Sequence, residues 1–120
     1  MKRLTKREED VMTVFWELKK SLTIRDVVKH NPELSQNTVQ VVLKNLVEKK
    51  CLEFDGTSIA RTAIARVYKA IISEEEYFQE IIPKKIFKKM VVSFVTQENS
   101  EEELKKIEDM VQKKLKEIRE

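Results

Sequence analysis

Across residues 35–50, SQNTVQVVLKNLVEKK, the apolar positions Val39, Val42, Leu43, Leu46 and Val47 form the i, i+3, i+4, i+7, i+8 stripe of one helix face. At about 100° per residue the opposite side carries Asn37, Val41, Lys44 and Glu48, with Gln40 flanking them. The first turns hold short uncharged hydrogen-bonding side chains (Ser35, Gln36, Asn37, Thr38, Gln40), and the basic residues come later. A helix that enters a DNA major groove by its N-terminal end needs this order. Amides there can bond base edges, while free N–H groups and the positive dipole end face phosphate. Taken alone, the segment reads first as an ordinary amphipathic core helix with a serine N-cap, and its neighbours decide between the two readings.

Upstream, Thr5 followed three residues later by Glu8 is a capping box, and acidic residues in a first turn suit the helix dipole. Val11, Met12, Phe15, Trp16 and Leu18 continue a first helix to Lys19-Lys20, with Trp16 a core anchor rather than a base-stacking residue. Residues 21–24 supply a stub of strand. A second helix runs from Arg25 to His30, capped by Thr23 with Val27 and Val28 inward, and Asn31-Pro32 stops it because the residue before proline is pushed out of the α region. Only Glu33 and Leu34 separate that stop from the Ser35 cap, which is a helix-turn-helix layout.

After Lys50 the period shortens towards two. Cys51 to Phe54 alternates weakly, Asp55-Gly56-Thr57-Ser58 is the best turn in the chain, and residues 64–72 (IARVYKAII) are β-branched and aromatic. A hairpin directly after a helix-turn-helix makes a winged helix. Its loop from Asp55 to Ala65, with Arg61 and Arg66, would reach the DNA backbone or minor groove, and the competing reading is a surface hairpin with solvated arginines.

Ser73 with Glu76 opens a further helix carrying Tyr77, Phe78, Ile81 and Ile82. Pro83 interrupts, then Lys84 to Val95 forms a strongly apolar helix, and Gln97-Glu98-Asn99 links to a third box, Ser100 with Glu103. The last helix carries Leu104, Ile107, Met110, Val111, Leu115 and Ile118 in a nearly heptad stripe. Three such helices hold more apolar surface than a small winged helix can leave exposed, so a second copy is expected to cover it in a symmetric homodimer. The seam is expected to use Phe78, Ile82, Phe87, Val91, Phe94, Leu104, Ile107, Val111 and Leu115. The lysine pairs at 84–85, 88–89, 105–106 and 113–114 read as solvated faces.

The expected fold class is therefore mainly α with a small β hairpin: a winged helix-turn-helix domain over 1–72 and a three-helix dimerisation domain over 73–120. One Gly and two Pro in 120 residues agree with long helices and few tight turns. The net charge of +3 divides unevenly, with 14 Lys/Arg against 9 Asp/Glu in residues 1–72 and 10 against 12 in residues 73–120. A basic portion joined to a mildly acidic one suits a polyanion-binding module beside an assembly module. No apolar run is long enough to span a bilayer, the basic N-terminus is followed by no signal-peptide core, and a single cysteine fits the cytoplasm.

An enzyme is not expected. The inventory holds one histidine (His30), one cysteine, no glycine-rich loop and no cluster with metal-ligand spacing, and no cofactor is called for. Cys51 reads as a small buried hydrophobe, with a redox sensor as the alternative. A protein-binding winged helix and a regulator of the same fold answering another signal are the remaining rivals.

These residues resemble the penicillinase and methicillin-resistance repressors, the BlaI/MecI type. The run from Leu4 to Met12 and on to Trp16 is similar to that family's opening helix. Ser35-x-x-Thr38-Val39-Gln40-x-x-Leu43-x-x-Leu46-x-x-Lys49 is similar to its recognition helix, and Arg66-Val67-Tyr68 to its wing strand. Ser73 to Tyr77 and Val91 to Val95 resemble its C-terminal domain, so the likeness runs through nearly the whole chain. The resemblance implies a dimeric repressor on an inverted-repeat operator of double-stranded DNA that silences β-lactam resistance genes. It also implies a membrane sensor metalloprotease whose activation leads to repressor cleavage, at a bond matching Ser93-Phe94. Ser93 stands where those relatives have Asn, and Cys51 where they often have Gly. The paired C-terminal cysteines of copper-responsive relatives have no counterpart here.

On the DNA, Gln36, Asn37 and Gln40 are candidates to bond adenine N6/N7, and Val41 to touch a thymine methyl. Ser35 and Thr38 bond phosphate or cap the helix. Lys44, Arg61, Arg66, Lys2 and Arg3 are candidates for neutralising phosphate.

Overall fold

A computed structural model describes residues 2–60 and 63–120. Among these the chain forms α1 (Lys6–Leu18), α2 (Ile24–His30), α3 (Gln36–Glu48), an antiparallel hairpin of β1 (Leu52–Ala60) and β2 (Ala63–Ala70), then α4 (Glu74–Ile81), α5 (Lys84–Gln97) and α6 (Glu101–Arg119). The chain divides into two compact units, one ending at Ile81 and one beginning at Ile82.

In the first unit the helix starts are chemically marked. Thr5 and Glu8 close a capping box on α1, and Thr23 and Asp26 close another on α2. Ser35 Oγ accepts the Thr38 amide at 3.1 Å and donates to Thr38 Oγ1 at 2.8 Å, so both hydroxyls are engaged in capping α3. Helix ends are less conventional. Lys19 after α1 (φ 53°) and Lys50 after α3 (φ 62°) take the left-handed conformation usually given to glycine.

The core is one cluster built where α1, α2 and α3 face the base of the hairpin. Val11, Met12 and Phe15 from α1, Val27 from α2 and Val39, Leu43 and Leu46 from α3 meet Leu22, Leu34, Leu52 and Tyr77. The expected strand stub is a single residue: Leu22 exchanges two backbone hydrogen bonds of 2.8 Å with Tyr68, an isolated antiparallel bridge to β2.

The structure corrects three expectations. Asp55-Gly56 is not the hairpin turn. Pairing runs on past it to Ala60 and Ala63, and the register steps from Phe54↔Tyr68 to Thr57↔Arg66. One extra residue on β1 makes a bulge, which Gly56 permits at φ +84°, so the wing is longer than the sequence suggests. Second, the first unit extends to Ile81, not to residue 72, because α4 packs on α1. Tyr77 is fully buried, and its hydroxyl accepts the Leu4 amide (2.9 Å) and donates to Glu9 Oε2 (2.7 Å). Trp16 donates to the Ile72 carbonyl at 3.0 Å and lies against the rings of Tyr77 and Phe78 at centroid distances of 5.7 and 6.5 Å. Third, Ser100 caps α6 by accepting the Glu103 amide, but its own amide bonds Glu98 Oε1, so this start is half a box.

In the second unit neither helix has a buried residue. Ile86, Phe87, Met90, Val91, Val92, Phe94 and Val95 of α5 and Met110, Val111 and Ile118 of α6 are all exposed. Ile82, Leu104, Ile107 and Leu115 are half-buried.

Candidate nucleic-acid interface

The stripe Val39, Val42, Leu43 and Leu46 fastens α3 to the core and turns its other face outward. Ser35, Gln36, Asn37, Gln40, Val41 and Lys44 are exposed and Thr38 is half-buried, with Val41 left 59% accessible although apolar. From Leu34 to Val47 there is no carboxylate. The N-terminal two turns thus present three amides and a methyl-bearing side chain on a stretch without carboxylates, at the positive end of the helix dipole.

The other predicted residues lie in different places. Arg66 is exposed on β2 with its guanidinium 5.2 Å above the Phe54 ring, a cation–π contact that holds it on the wing. The wing's base is tied to the body by Ser21 Oγ donating to Asp55, and its two strands are joined there by Lys69, 3.2 Å from Glu53 across the ladder. Arg61 lies outside the described residues. Lys2 and Arg3 are exposed but are not brought to the tip of α3. Thr5 and Glu8 sit at the C-terminal end of that helix, where Glu8 pairs with Lys49, and 13 residues of α-helix put its tip about 20 Å away. Arg3 is also held against Glu9 at 3.7 Å.

Two residues were missed in the sequence. Arg25 and Lys29, exposed on α2, line a shallow cleft of about 470 Å³ with Val28 and Gln36. They flank the α3 tip as the first helix of a helix-turn-helix flanks a phosphate backbone. Their i, i+4 spacing opposite Val27 was the available signal. A larger open cleft, about 740 Å³, lies between the end of α1 and the start of α4; it mixes Lys19, Lys20 and Lys69 with Glu74, Glu75 and Glu76 and contains none of the predicted contact residues.

Among the described residues no group of His, Cys, Asp and Glu side chains could hold a metal ion, and no helix is long and apolar enough to cross a membrane. Cys51 is fully buried, and burial first, then the Glu8 carboxylate, pushes its thiol up, which keeps it a thiol in neutral solution.

A three-helix core whose third helix leads with neutral amides, followed by a β ribbon, is a winged helix-turn-helix of the kind found in DNA-binding transcriptional regulators. The profile of the penicillinase repressor family matches residues 4–113, and the chain belongs to that family. Its fold is similar to that of variants of the Staphylococcus aureus protein MepR. A MepR variant from a multidrug-resistant S. aureus clinical isolate is 21% identical over 98% of this chain and 80% of its own, with a TM-score of 0.51. An S. aureus MepR variant bound to an oligodeoxyribonucleotide is 22% identical over 96% of this chain and 80% of its own, with a TM-score of 0.51. At these identities the likeness is one of fold. No curated protein matches the chain.

Proposed function

We propose that the chain is a dimeric repressor that places the tip of α3 from each copy in successive major grooves of an inverted-repeat operator. The observation that carries this reading is the exposed face of Gln36, Asn37, Gln40, Val41 and Lys44, with no carboxylate before Glu48 in the last turn, on a helix whose other face is locked in the core. Gln36, Asn37 and Gln40 read adenine edges, and Val41 contacts a thymine methyl. Lys44 and Arg66, joined by Arg25 and Lys29, neutralise phosphate, which supplies affinity and salt dependence without sequence choice. Lys2 and Arg3 contribute at most to the general field.

The second unit supplies assembly. Two helices with no fully buried residue of their own are stable when a second copy covers Phe87, Val91, Phe94, Val111 and their neighbours, with Ile82, Leu104, Ile107 and Leu115 completing the seam. Pairing makes the second half-site contact intramolecular, and two-fold symmetry sets half-sites roughly 34 Å apart or a multiple of that. Membership of the penicillinase repressor family supports β-lactam resistance genes as targets, a cytoplasmic site of action and a membrane sensor metalloprotease as the inactivating partner. Ser93-Phe94 lies inside α5, so a protease that grips extended backbone acts only after local unwinding, and the cut removes the rest of α5 and all of α6 from the seam.

Selection of duplexes from a random pool by the full chain, followed by footprinting, tests the first reading: a dyad with two protected half-sites is expected, and retention of random DNA alone overturns it. Expression beside its neighbouring genes, with and without a β-lactam, tests the second. A fragment ending at Ser93 is expected. Dyad binding with no fragment assigns the chain to a regulator of the same fold answering another signal.

A further inference from the structure

The wing carries a feature that phosphate contacts leave unused. Across the bulge the pairs Leu52↔Ala70, Phe54↔Tyr68, Thr57↔Arg66 and Ile59↔Ile64 share one face of the ribbon. That face begins in the core at Leu52 and Tyr68 and ends at Ile59 and Ile64, which are 76% and 72% exposed, the most exposed large apolar side chains of the described residues. Ile64 lies four residues beyond Tyr68, so the pair projects roughly 13 Å past the last buried position. Single exposed apolar residues are ordinary, but a cross-strand pair at the outer end of a hairpin, where polar side chains are the usual choice, is not.

We propose that Ile59 and Ile64 form an apolar wedge that enters the minor groove, unstacks one base step and bends the operator; this rests on the DNA-binding reading above. Charge selects the occupant. Beyond the bulge, residues 57–68 include Arg61 and Arg66 and no carboxylate, which suits a polyanion and not an acidic or neutral protein surface. Arg66, one rung behind the wedge on the same face, meets phosphate at the groove's edge while Ile59 and Ile64 occupy a groove only about 7.5 Å deep. Apolar wedges of this kind open flexible pyrimidine–purine steps at least cost, so the wedge adds sequence preference at a position where no hydrogen bond is made.

The test uses the full chain and a duplex it selects from a random pool, with 2-aminopurine placed in turn at each pyrimidine–purine step and bending read by energy transfer between end labels. The wild-type chain is expected to raise the fluorescence at one step per half-site and to bend the duplex. Ile59→Thr/Ile64→Thr, which keeps β-branched side chains and hence strand preference, is expected to abolish the rise and at least halve the bend while leaving the salt dependence of binding unchanged. Ile59→Val/Ile64→Val is expected to keep both signals. Equal bending and unstacking by the threonine variant overturns the wedge alone, as does a change in self-association of that variant with bending intact. If no duplex is selected, the DNA-binding reading falls and takes the wedge with it.

Discussion

Lys49 Nζ lies 2.7 Å from Glu8 Oε1, joining the C-cap of α3 to the first turn of α1. The same oxygen accepts the Thr5 amide at 2.9 Å, so one carboxylate completes a helix cap and anchors α3 by its far end. The ends of α3 therefore have separate duties: the C-terminal end is held to the body, and the N-terminal end projects.

That pair makes the winged unit acid-sensitive. Burial, the largest influence, pushes the Glu8 carboxyl up, but its bonds to Lys49 and Thr5 and the Lys49 charge outweigh burial and hold it below its ordinary value. A carboxyl lowered by folding contributes stability that is full above its unfolded value and is lost as pH falls through its folded value. Urea unfolding from neutral to acid pH should show this loss, and Glu8→Gln should remove that part of the pH dependence. At neutral pH the variant should be less stable by about 1–2 kcal/mol. An unchanged acid limb would mean that other carboxylates set it.

Tyr77 fastens α4 in the same way at the other side of α1. Its hydroxyl serves Leu4 and Glu9, and burial first, then the hydrogen bond to Glu9, pushes its phenol up to about 12. Because deprotonation is the disfavoured step, the contribution is complete below the unfolded phenol value and disappears as pH rises through about 12. Tyr77→Phe keeps the ring but leaves the Leu4 amide without its partner, and should cost about 1–3 kcal/mol. Phenolate absorbance should show one tyrosine titrating late in the wild type and that component missing in the variant.

On the DNA face, Asn37→Ala and Gln40→Ala should each lower discrimination between selected and random duplex by about 1–3 kcal/mol with little change in salt slope. Lys44→Ala and Arg25→Ala should weaken both duplexes nearly equally and flatten the slope by about 1 for each phosphate no longer neutralised. Titrations in which the two groups behave alike would remove the division between base reading and phosphate binding.

Lys50 follows α3 in the left-handed conformation, which disfavours any side chain. Lys50→Gly should stabilise the winged unit by roughly 0.5–1 kcal/mol, the relief of that conformation outweighing the freedom glycine adds to the unfolded chain. Thermal unfolding of the full chain reads the gain, and a lowered transition would mean that Lys50 makes a compensating contact.

The parts legible in the sequence were those governed by local rules. The α3 stripe, the Thr5, Thr23, Ser35 and Ser73 caps and the stop at Asn31-Pro32 each depend on residues within one or two helical turns. What was illegible depended on distant partners. Asp55-Gly56 has turn composition, yet pairing of Thr57 with Arg66 and Ile59 with Ile64 carries the strands past it, and a glycine with positive φ serves a bulge as well as a turn. Ser73 and Glu76 announced that α4 begins but not what it packs on; the Tyr77 hydroxyl decides that through Leu4 and Glu9, some 70 residues upstream. Lys2 and Arg3 are candidates for neutralising phosphate because charge is visible in sequence, whereas the nearness of Arg3 to Glu9 is not.

The remaining prediction concerns the seam between copies. Phe87, Val91 and Phe94 recur at i, i+4 and i+7 on α5 and are 38%, 48% and 50% exposed in a unit whose helices have no fully buried residue. A charge there meets no packed core in the single copy, so Val91→Asp should leave the unfolding of the winged unit unchanged. In the dimer the two-fold axis places the carboxylate in the seam twice. A loss of about 3 kcal/mol or more, near the range of a central interface residue, raises the dimer dissociation constant by roughly a hundredfold. Sedimentation should then show single copies at micromolar concentration, and binding to a dyad duplex should fall to the level of an isolated half-site while half-site affinity is retained. A variant that remains paired would move the seam off this face of α5, whereas one that loses half-site affinity as well would tie α5 to the winged unit.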